Sequence, residues 1–317
     1  MKPFKVTVAI PTYNRSAYLR QSIDCALNQT VLELEVLVTD NQSTDDTADV
    51  VASFQDSRVR YIRNEKNLGM FGNWNRALEL AQGEYFLLLS DDDLIAPDFL
   101  ERMLRLFEVH PDLAFAYGKN VFIDSQGCQI HQGHTAPQME SGWDVTLGFL
   151  RSKRTINPCS ELFRTADIRA LGGYPGDRYR LAGDAWLWMT LALQKGKVGF
   201  DAEAVAYYRT HAASETSLAR LDMWLEDHQQ LFQDLKQWVP SQVAELGRAF
   251  HQHDAIMLME LLNKSHQQGH PGNLARAWQY RHVLLKHPSA LVLRKWIQLL
   301  LPVPLVQQFK SLLRGSR

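Results

Sequence analysis

Four short apolar runs, each followed by a stretch with helical spacing, fill the chain from its start to His110. Val6, Val8 and Ile10 alternate as in a strand, and Pro11-Thr12-Tyr13-Asn14 breaks the run. Leu19, Ile23 and Ala26 then recur every three or four residues, with Ser16 expected as the N-cap. Residues 34–39 form an apolar run of the kind buried on both faces of a sheet. It enters the polar turn 40–47, which offers caps for a helix through Phe54. A third strand is predicted over 59–63, and Phe71, Trp74, Ala77, Leu78 and Ala81 give a third helix, closed by Gly83. The fourth strand, 85–89, delivers the chain into Ser90-Asp91-Asp92-Asp93, and a further helix begins near Pro97. Such a βαβαβαβα series predicts an α/β fold, a mostly parallel sheet with helices on both faces. Ligands of these sheets bind beyond the carboxyl ends of the strands. The turns 11–15, 40–47 and 90–93 are therefore expected to line one crevice.

The pattern beyond Leu113 is more mixed. A strand pair is expected around Asp124-Ser125-Gln126-Gly127, a helix from Asp184 to about Gln194, and strands near Val198 and over 205–208. From Thr216 onward the sequence reads as helices, so the expected division is residues 1–217 and a helical region 218–317. A length of 317 residues with 45% hydrophobic content is enough for one large domain and such an appendage. The net charge of −1 conceals an asymmetry: residues 1–260 carry −10, and residues 261–317 carry +9 with no acid at all. The longest tail stretch without a charged residue, 296–309, has 14 residues, short of the roughly 20 a spanning helix needs. Arg294, Lys295, Trp296, Lys310 and Arg314 instead suit an anionic membrane surface. Nucleic acid is not an expected partner, since the acidic main domain would be repelled. Three cysteines with no CxxC pair argue against a disulfide scaffold or zinc knuckle. With no apolar secretion core at residues 1–10, the expected location is cytoplasmic, peripheral on the inner face of the cell membrane.

Asp91-Asp92-Asp93 is the strongest local chemical signal. Adjacent carboxylates repel unless a cation or donor groups offset the charge, and a hard divalent ion takes one or two of them and keeps positions for phosphate oxygens. A solvated, helix-capping acidic turn is the plainer alternative. Asp40, one residue past a buried strand, can accept hydrogen bonds from a base or ribose, or serve as an Asx turn. The histidines are scattered, and no HExxH occurs.

Together these residues resemble the family-2 glycosyltransferases, inverting enzymes of the GT-A fold that use nucleotide-sugar donors, and in particular those of bacterial cell-envelope polysaccharides. Ile10-Pro11-Thr12-Tyr13-Asn14-Arg15 resembles the family's opening. Residues 38–47 resemble its VVDDGSTDDT element, with Asn41-Gln42 in place of Asp-Gly. Asn67, Gly69, Asn73 and Ala77 through Gly83-Glu84-Tyr85 match the next stretch, and Ser90-Asp91-Asp92-Asp93 resembles the DxD element with Ser90 for its first acid. Leu171-Gly172-Gly173-Tyr174, Gly183-Asp184-Ala185-Trp186 and Tyr208-Arg209-Thr210-His211 follow in the family's order. The resemblance covers residues 4 to about 217.

It implies transfer of a sugar from a nucleotide-sugar donor, a UDP-sugar foremost, to a saccharide or lipid-linked acceptor, with Mn²⁺ or Mg²⁺. Asp40 would contact the base, Pro11, Thr12, Tyr13 and Asn14 would line the nucleotide pocket, and Asp91 would lie near the ribose or donor sugar. Asp92 would hold the metal, His211 would stand beside it, and Asp184 would be the general base. Trp188, four residues from Asp184 and so on its helix face, is the candidate acceptor platform, whereas Trp186 points elsewhere. Ser90 and Asn41-Gln42 leave room for a rival, a catalytically silent nucleotide-sugar-binding scaffold. A nucleotidyltransferase would want a Gly-rich phosphate loop where Pro11-Thr12-Tyr13-Asn14 stands.

Overall fold

A computed structural model describes residues 4–210, 221–267 and 273–286. It divides into two compact units, Met1–Ala213 and Ser214–Arg317. The boundary expected at residue 217 falls in 211–220, outside the described residues.

In the first unit β1 (Val6–Thr12), β2 (Leu34–Asp40), β3 (Val59–Arg63) and β4 (Tyr85–Leu88) lie side by side in the order β3-β2-β1-β4, all parallel. Between them run α1 (Ser16–Leu27), α2 (Thr47–Ala52) and α3 (Met70–Leu80), as the spacing predicts. Val6, Val8, Ile10, Leu34, Val36 and Val38 point to one face, where Leu19 and Ile23 of α1 join them in a dry core with Phe99, Leu100, Met103 and Phe107. Those last four come from α4 (Phe99–Val109), entered through the short strand β5 (Leu94–Ile95). At roughly 25 cal/mol per Å² of buried apolar surface, such a cluster dominates the stability of the sheet.

The opposite face carries a buried polar knot. Thr7 Oγ1 donates to Glu35 Oε1 at 2.6 Å, Gln82 N donates to the same oxygen, and Arg60 pairs with Glu35 Oε2 at 2.9 Å. Gly83 N donates to Thr7 Oγ1, and a Cβ at Gly83 would stand 2.3 Å from Thr7 N. Gly83 is thus required for close backbone approach; α3 has already ended at Leu80, so it does not close that helix.

Beyond β4 the sheet departs from the sequence expectation. It continues through β9 (Glu161–Arg164), β6 (Ala116–Ile123) and β10 (Lys197–Arg209) to β5. β9 is antiparallel to both β4 and β6, and β10 is parallel to β6 but antiparallel to β5. The ten-stranded sheet is therefore mixed, and "mostly parallel" holds for its first half. A register shift between Asp201 and Val205 lets one long strand replace the two expected near 198 and 205–208. β7 (Gln129–Gln132) pairs with β6 around the Asp124–Gly127 turn, and β8 (Met139–Ser141) leads into α5 (Gly142–Leu150). After β9 come α6 (Thr165–Ala170) and α7 (Gly183–Lys195).

The described residues of the second unit are helical: α8 (Leu221–Leu235), α9 (Val243–Gln267), α10 (Asn273–Gln279) and α11 (Arg281–Lys286). Ala255, Leu258, Met259 and Leu262 form the buried stripe of α9, against Leu221, Ala277, Val283 and Leu284. His228 Nδ1 meets Asp254 Oδ1 at 2.7 Å between α8 and α9. No described helix is long and apolar enough to cross a membrane. The tail residues expected at a lipid surface, 294–314, lie outside the described residues.

Candidate active site

The three turns at the carboxyl ends of β1, β2 and β4 meet, as their topology requires. Asn14, in the left-handed region at φ 53°, accepts from Thr44 N through its side chain, and its own N–H donates to Ser43 Oγ. Asp45, rather than Ser16, supplies the cap of α1: its Oδ2 accepts from Ser16 N at 3.0 Å. Thr12 is buried, while Tyr13 is 47% exposed at the rim. Pro11 is half-buried beside them.

Asp40 is 1% exposed, with Oδ1 accepting from Ser43 N (2.8 Å) and Oδ2 from Tyr61 Oη (2.6 Å); Arg63 Nε stands 3.7 Å away. Burial, then the bond to Asp40, pushes the Tyr61 phenol upward, so it stays a donor. A carboxylate has about four acceptor positions, so capacity remains for one more donor. Asn41 and Gln42, where the sequence departs from the family pattern, hold the adjoining loop. Asn41 Oδ1 accepts from Leu68 N, Asn41 Nδ2 donates to Asn67 Oδ1, and Gln42, at φ 70°, donates to Glu65 O.

In the acidic turn, Asp91, Asp92 and Asp93 are 4%, 8% and 1% exposed. A solvated capping turn is thereby excluded. Arg15 Nη1 bridges the first two, at 3.4 Å from Asp91 Oδ1 and 2.9 Å from Asp92 Oδ2. Burial and then the Asp92 charge push the Asp91 carboxyl up to about 7; Arg15 acts in the opposite direction. Asp93 serves the fold. Its Oδ1 accepts from Arg209 N, its carbonyl accepts from Ser22 Oγ, and burial followed by the Asp92 charge lifts its carboxyl well above the usual range. Cys159 lies beside it, its thiol raised by burial and by Asp93, so it is inert at neutral pH.

Arg209 fastens this turn from β10. Its Nε donates to Asp92 O at 2.7 Å, its Nη2 to Gln21 Oε1 and its Nη1 to Asp124 O, while the guanidinium lies over the Tyr18 ring. The carboxylates fit a hard divalent cation in chemistry, being buried, adjacent and anionic, with Arg15 supplying one positive charge against their two. Among the described residues no third His, Cys, Asp or Glu completes a ligand set. His211 lies outside the described residues.

Asp184 sits in the first turn of α7. Antiparallel β9 begins where β4 ends, which brings Glu161 to the same edge. Glu161 is 3% exposed; burial first, and the Asp184 charge second, hold its carboxyl well above its ordinary range. Trp188 is corrected by the structure. At 1% exposed it packs against Phe115 and Phe149 in the core, so it cannot be an acceptor platform. Trp186 is the one that reaches a cleft, of about 650 Å³, walled by residues 68–72 and 171–180. A helix that is buried on nearly every side gives its core face no distinctive spacing, and the i, i+4 rule picked the wrong indole. Arg15, Tyr61, Glu161 and Arg209 also belong to the site's surroundings. Arg15 and Arg209 lie within the sequence motifs quoted above, whereas nothing in the sequence marks Tyr61 or Glu161.

Residues 7–159 match the family described as Glycosyl transferase family 2. A chondroitin synthase of Escherichia coli is 31% identical over 225 residues, which is 70% of this chain and 31% of that one. The chain thus spans about a third of that relative's length. In solved structures, residues 1–349 of S. aureus TarS in complex with UDP superpose with TM-score 0.60 at 22% identity, over 83% of this chain and 72% of that one. A Pyrobaculum calidifontis mannosyltransferase in complex with GDP-Man and Mn²⁺ gives TM-score 0.56 at 16% identity, over 94% and 88% of the two chains. At those identities the likeness shows the fold, which is GT-A. With the family match, the ordered motifs and this fold all coinciding on one sheet edge, residues 7–159 carry a glycosyl transferase family 2 domain.

Proposed function

We propose that this protein transfers a sugar, with inversion, from a nucleotide-sugar donor to a saccharide or lipid-linked saccharide acceptor in cell-surface glycan synthesis. The observation that carries the reading is the buried Asp91–Asp92 pair, held by Arg15 beside the turns of β1 and β2. Burying two adjacent carboxylates costs stability that the Arg15 guanidinium, one charge against two, offsets in part, and a cationic ligand at that spot is what such a pair serves. Asp40 with Pro11, Thr12, Tyr13 and Asn14 would take the nucleoside, Asp91 the ribose or sugar, and Asp92 would hold Mn²⁺ or Mg²⁺, with His211 beside it. The ion, when bound, supplies Lewis-acid stabilisation of the departing diphosphate. UDP is the favoured nucleotide, being the one bound by TarS in its complex.

Asp184 takes the proton of the attacking acceptor hydroxyl, a poor nucleophile near neutral pH. Attack from the face opposite the nucleotide inverts the anomeric centre. The basic residues 261–317 would hold the protein at an anionic membrane surface, where a lipid-linked acceptor is presented.

A thermal-shift panel of UDP, GDP, dTDP and CDP, each with and without Mn²⁺, tests the reading on wild type and Asp92→Asn. Stabilisation by one nucleotide, only with metal and only in wild type, is expected; binding at a hundredfold excess over Kd gives about 2.7 kcal/mol. No shift with any nucleotide would overturn the donor-site reading, whereas nucleotide binding without sugar transfer would favour the silent scaffold. Where the sequence departs from the family pattern, Asn41 and Gln42 hold the loop with hydrogen bonds of their own.

A further inference from the structure

In the second unit α10 and α11 follow one another through Tyr280 and present two apolar sides. The inner side, Ala277, Val283 and Leu284, is buried in the cluster built on α9. Tyr280 Oη donates to Asp222 Oδ1 of α8 at 2.9 Å, so both neighbouring helices hold this segment in place. The outer side stands in solvent. Trp278 is 66% exposed and Leu285 73%. Trp278, Arg281, His282 and Leu285 fall at i, i+3, i+4 and i+7, the spacing that lines one side of a helix. Burial of an indole or a Leu side chain is among the larger gains folding offers, yet here the small Ala277 is inside and the large Trp278 outside.

Positive charge surrounds these two side chains. Arg281 Nη1 donates to Trp278 O at 2.9 Å, and its guanidinium lies 4.9 Å from the centroid of the indole. Lys286 is exposed beside Leu285. Neither Arg281 nor Lys286 forms an ion pair among the described residues. The sequence offers them no acid nearby, since residues 261–317 carry nine Lys and Arg and no Asp or Glu. A second copy of the chain is therefore a poor occupant: a two-fold contact sets a surface against itself, and would bring Arg281 and Lys286 onto their own duplicates. An anionic bilayer satisfies every part of the surface. Indoles settle at the headgroup level, Leu reaches the acyl boundary, and Lys and Arg extend to lipid phosphates.

Building on the membrane-surface reading of residues 261–317 given above, we infer that the outer side of α10–α11 inserts into an anionic bilayer, with Trp278 and Leu285 among the lipids and Arg281 and Lys286 against the phosphates. Charge brings the chain to the surface, and the two apolar side chains fix its depth and orientation there. Two inserted side chains are too few to hold the protein once the charges are screened, so release by salt is retained.

The full-length chain and mixed phosphatidylserine–phosphatidylcholine vesicles at low salt test this. Trp278→Ala and Leu285→Ala are each expected to weaken co-sedimentation roughly tenfold. With phosphatidylcholine brominated on its acyl chains, part of the wild-type tryptophan emission should be quenched, and that part should disappear in Trp278→Phe, which keeps an apolar ring. Both positions are exposed, so the variants should retain the wild-type melting temperature, and quenching of the wild type reads insertion independently of them. Binding that both alanine variants leave undiminished, or quenching that Trp278→Phe leaves in full, would overturn the inference. So would self-association of the wild type in sedimentation velocity that Leu285→Ala abolishes, since the surface would then belong to a second copy. Failure of the membrane reading itself shows separately, as a wild-type chain that ignores the anionic vesicles, and the inference falls with it.

Discussion

At the scale of single residues, the site is a set of buried carboxyl groups, of which Asp91 and Asp92 are met by Arg15 and Glu161 lies in the field of Asp184. Asp184→Asn keeps the shape and removes the base. The kcat for transfer should fall about 10²–10⁴-fold, equivalent to about 3–6 kcal/mol of activation, with nucleotide affinity unchanged. Single-turnover kinetics alongside nucleotide titration checks both halves. Arg15 now supplies one positive charge to Asp91 and Asp92. Arg15→Gln should therefore lower the melting temperature in chelator and enlarge the stabilisation produced by Mn²⁺, read by thermal shift. Glu161 gives a pH signature. Its folded-state carboxyl lies above the ordinary value, so the native state binds the extra proton. Its contribution is complete below about pH 4 and is lost progressively as pH rises through the folded value. Denaturant unfolding of Glu161→Gln from pH 4 to 8 should show that decline flattened.

At the scale of elements, close packing decides what can be changed. A Cβ at Gly142 would stand 1.9 Å from Ala192 O, a backbone atom of α7 that cannot swing away. Gly142→Ala should cost about 2–4 kcal/mol in urea unfolding, whereas Gly127→Ala, open but at φ +83°, should cost only about 1 kcal/mol. The sequence made the first half of the unit legible because strands buried on both faces and helices buried on one leave different periods. Val6, Val8 and Ile10 alternate where β1 lies, and Leu19 and Ile23 recur where α1 packs. The antiparallel entry of β9 was not legible. Glu161-Leu162-Phe163-Arg164 is four residues long, and its pairing with β4 is chosen by contacts some eighty residues away. The same limit governs the site. Asp40, Asp91 and Asp92 follow from strand ends, which local pattern locates. Tyr61 on Asp40, and the exchange of Trp188 for Trp186 at the cleft, depend on which face a neighbouring element covers.

At the scale of the whole molecule, charge is the organising quantity. The −10 of residues 1–260 and the +9 of 261–317 predict opposite responses to anionic lipid. Each basic residue near such a surface contributes about 1 kcal/mol, screened within a Debye length of roughly 10 Å at 0.1 M salt. The full chain should co-sediment with phosphatidylserine vesicles at low salt, release by about 0.5 M NaCl, and ignore neutral vesicles; salt-insensitive or absent binding removes the membrane role. The clamp of Arg209 on the acidic turn has a consequence in time. Chains are made from the N-terminus and fold as their parts emerge. The turn at Asp91–Asp93 leaves the ribosome more than a hundred residues before Arg209, whose N–H reaches Asp93 across a separation of 116. Until β10 is synthesised and docks beside β6, Asp93 lacks that donor and Asp92 O lacks the guanidinium. A nascent chain arrested before residue 209 should carry a largely formed parallel half and an acidic turn still without its fastening, so competence to bind arrives late in translation, after most of the core is already in place.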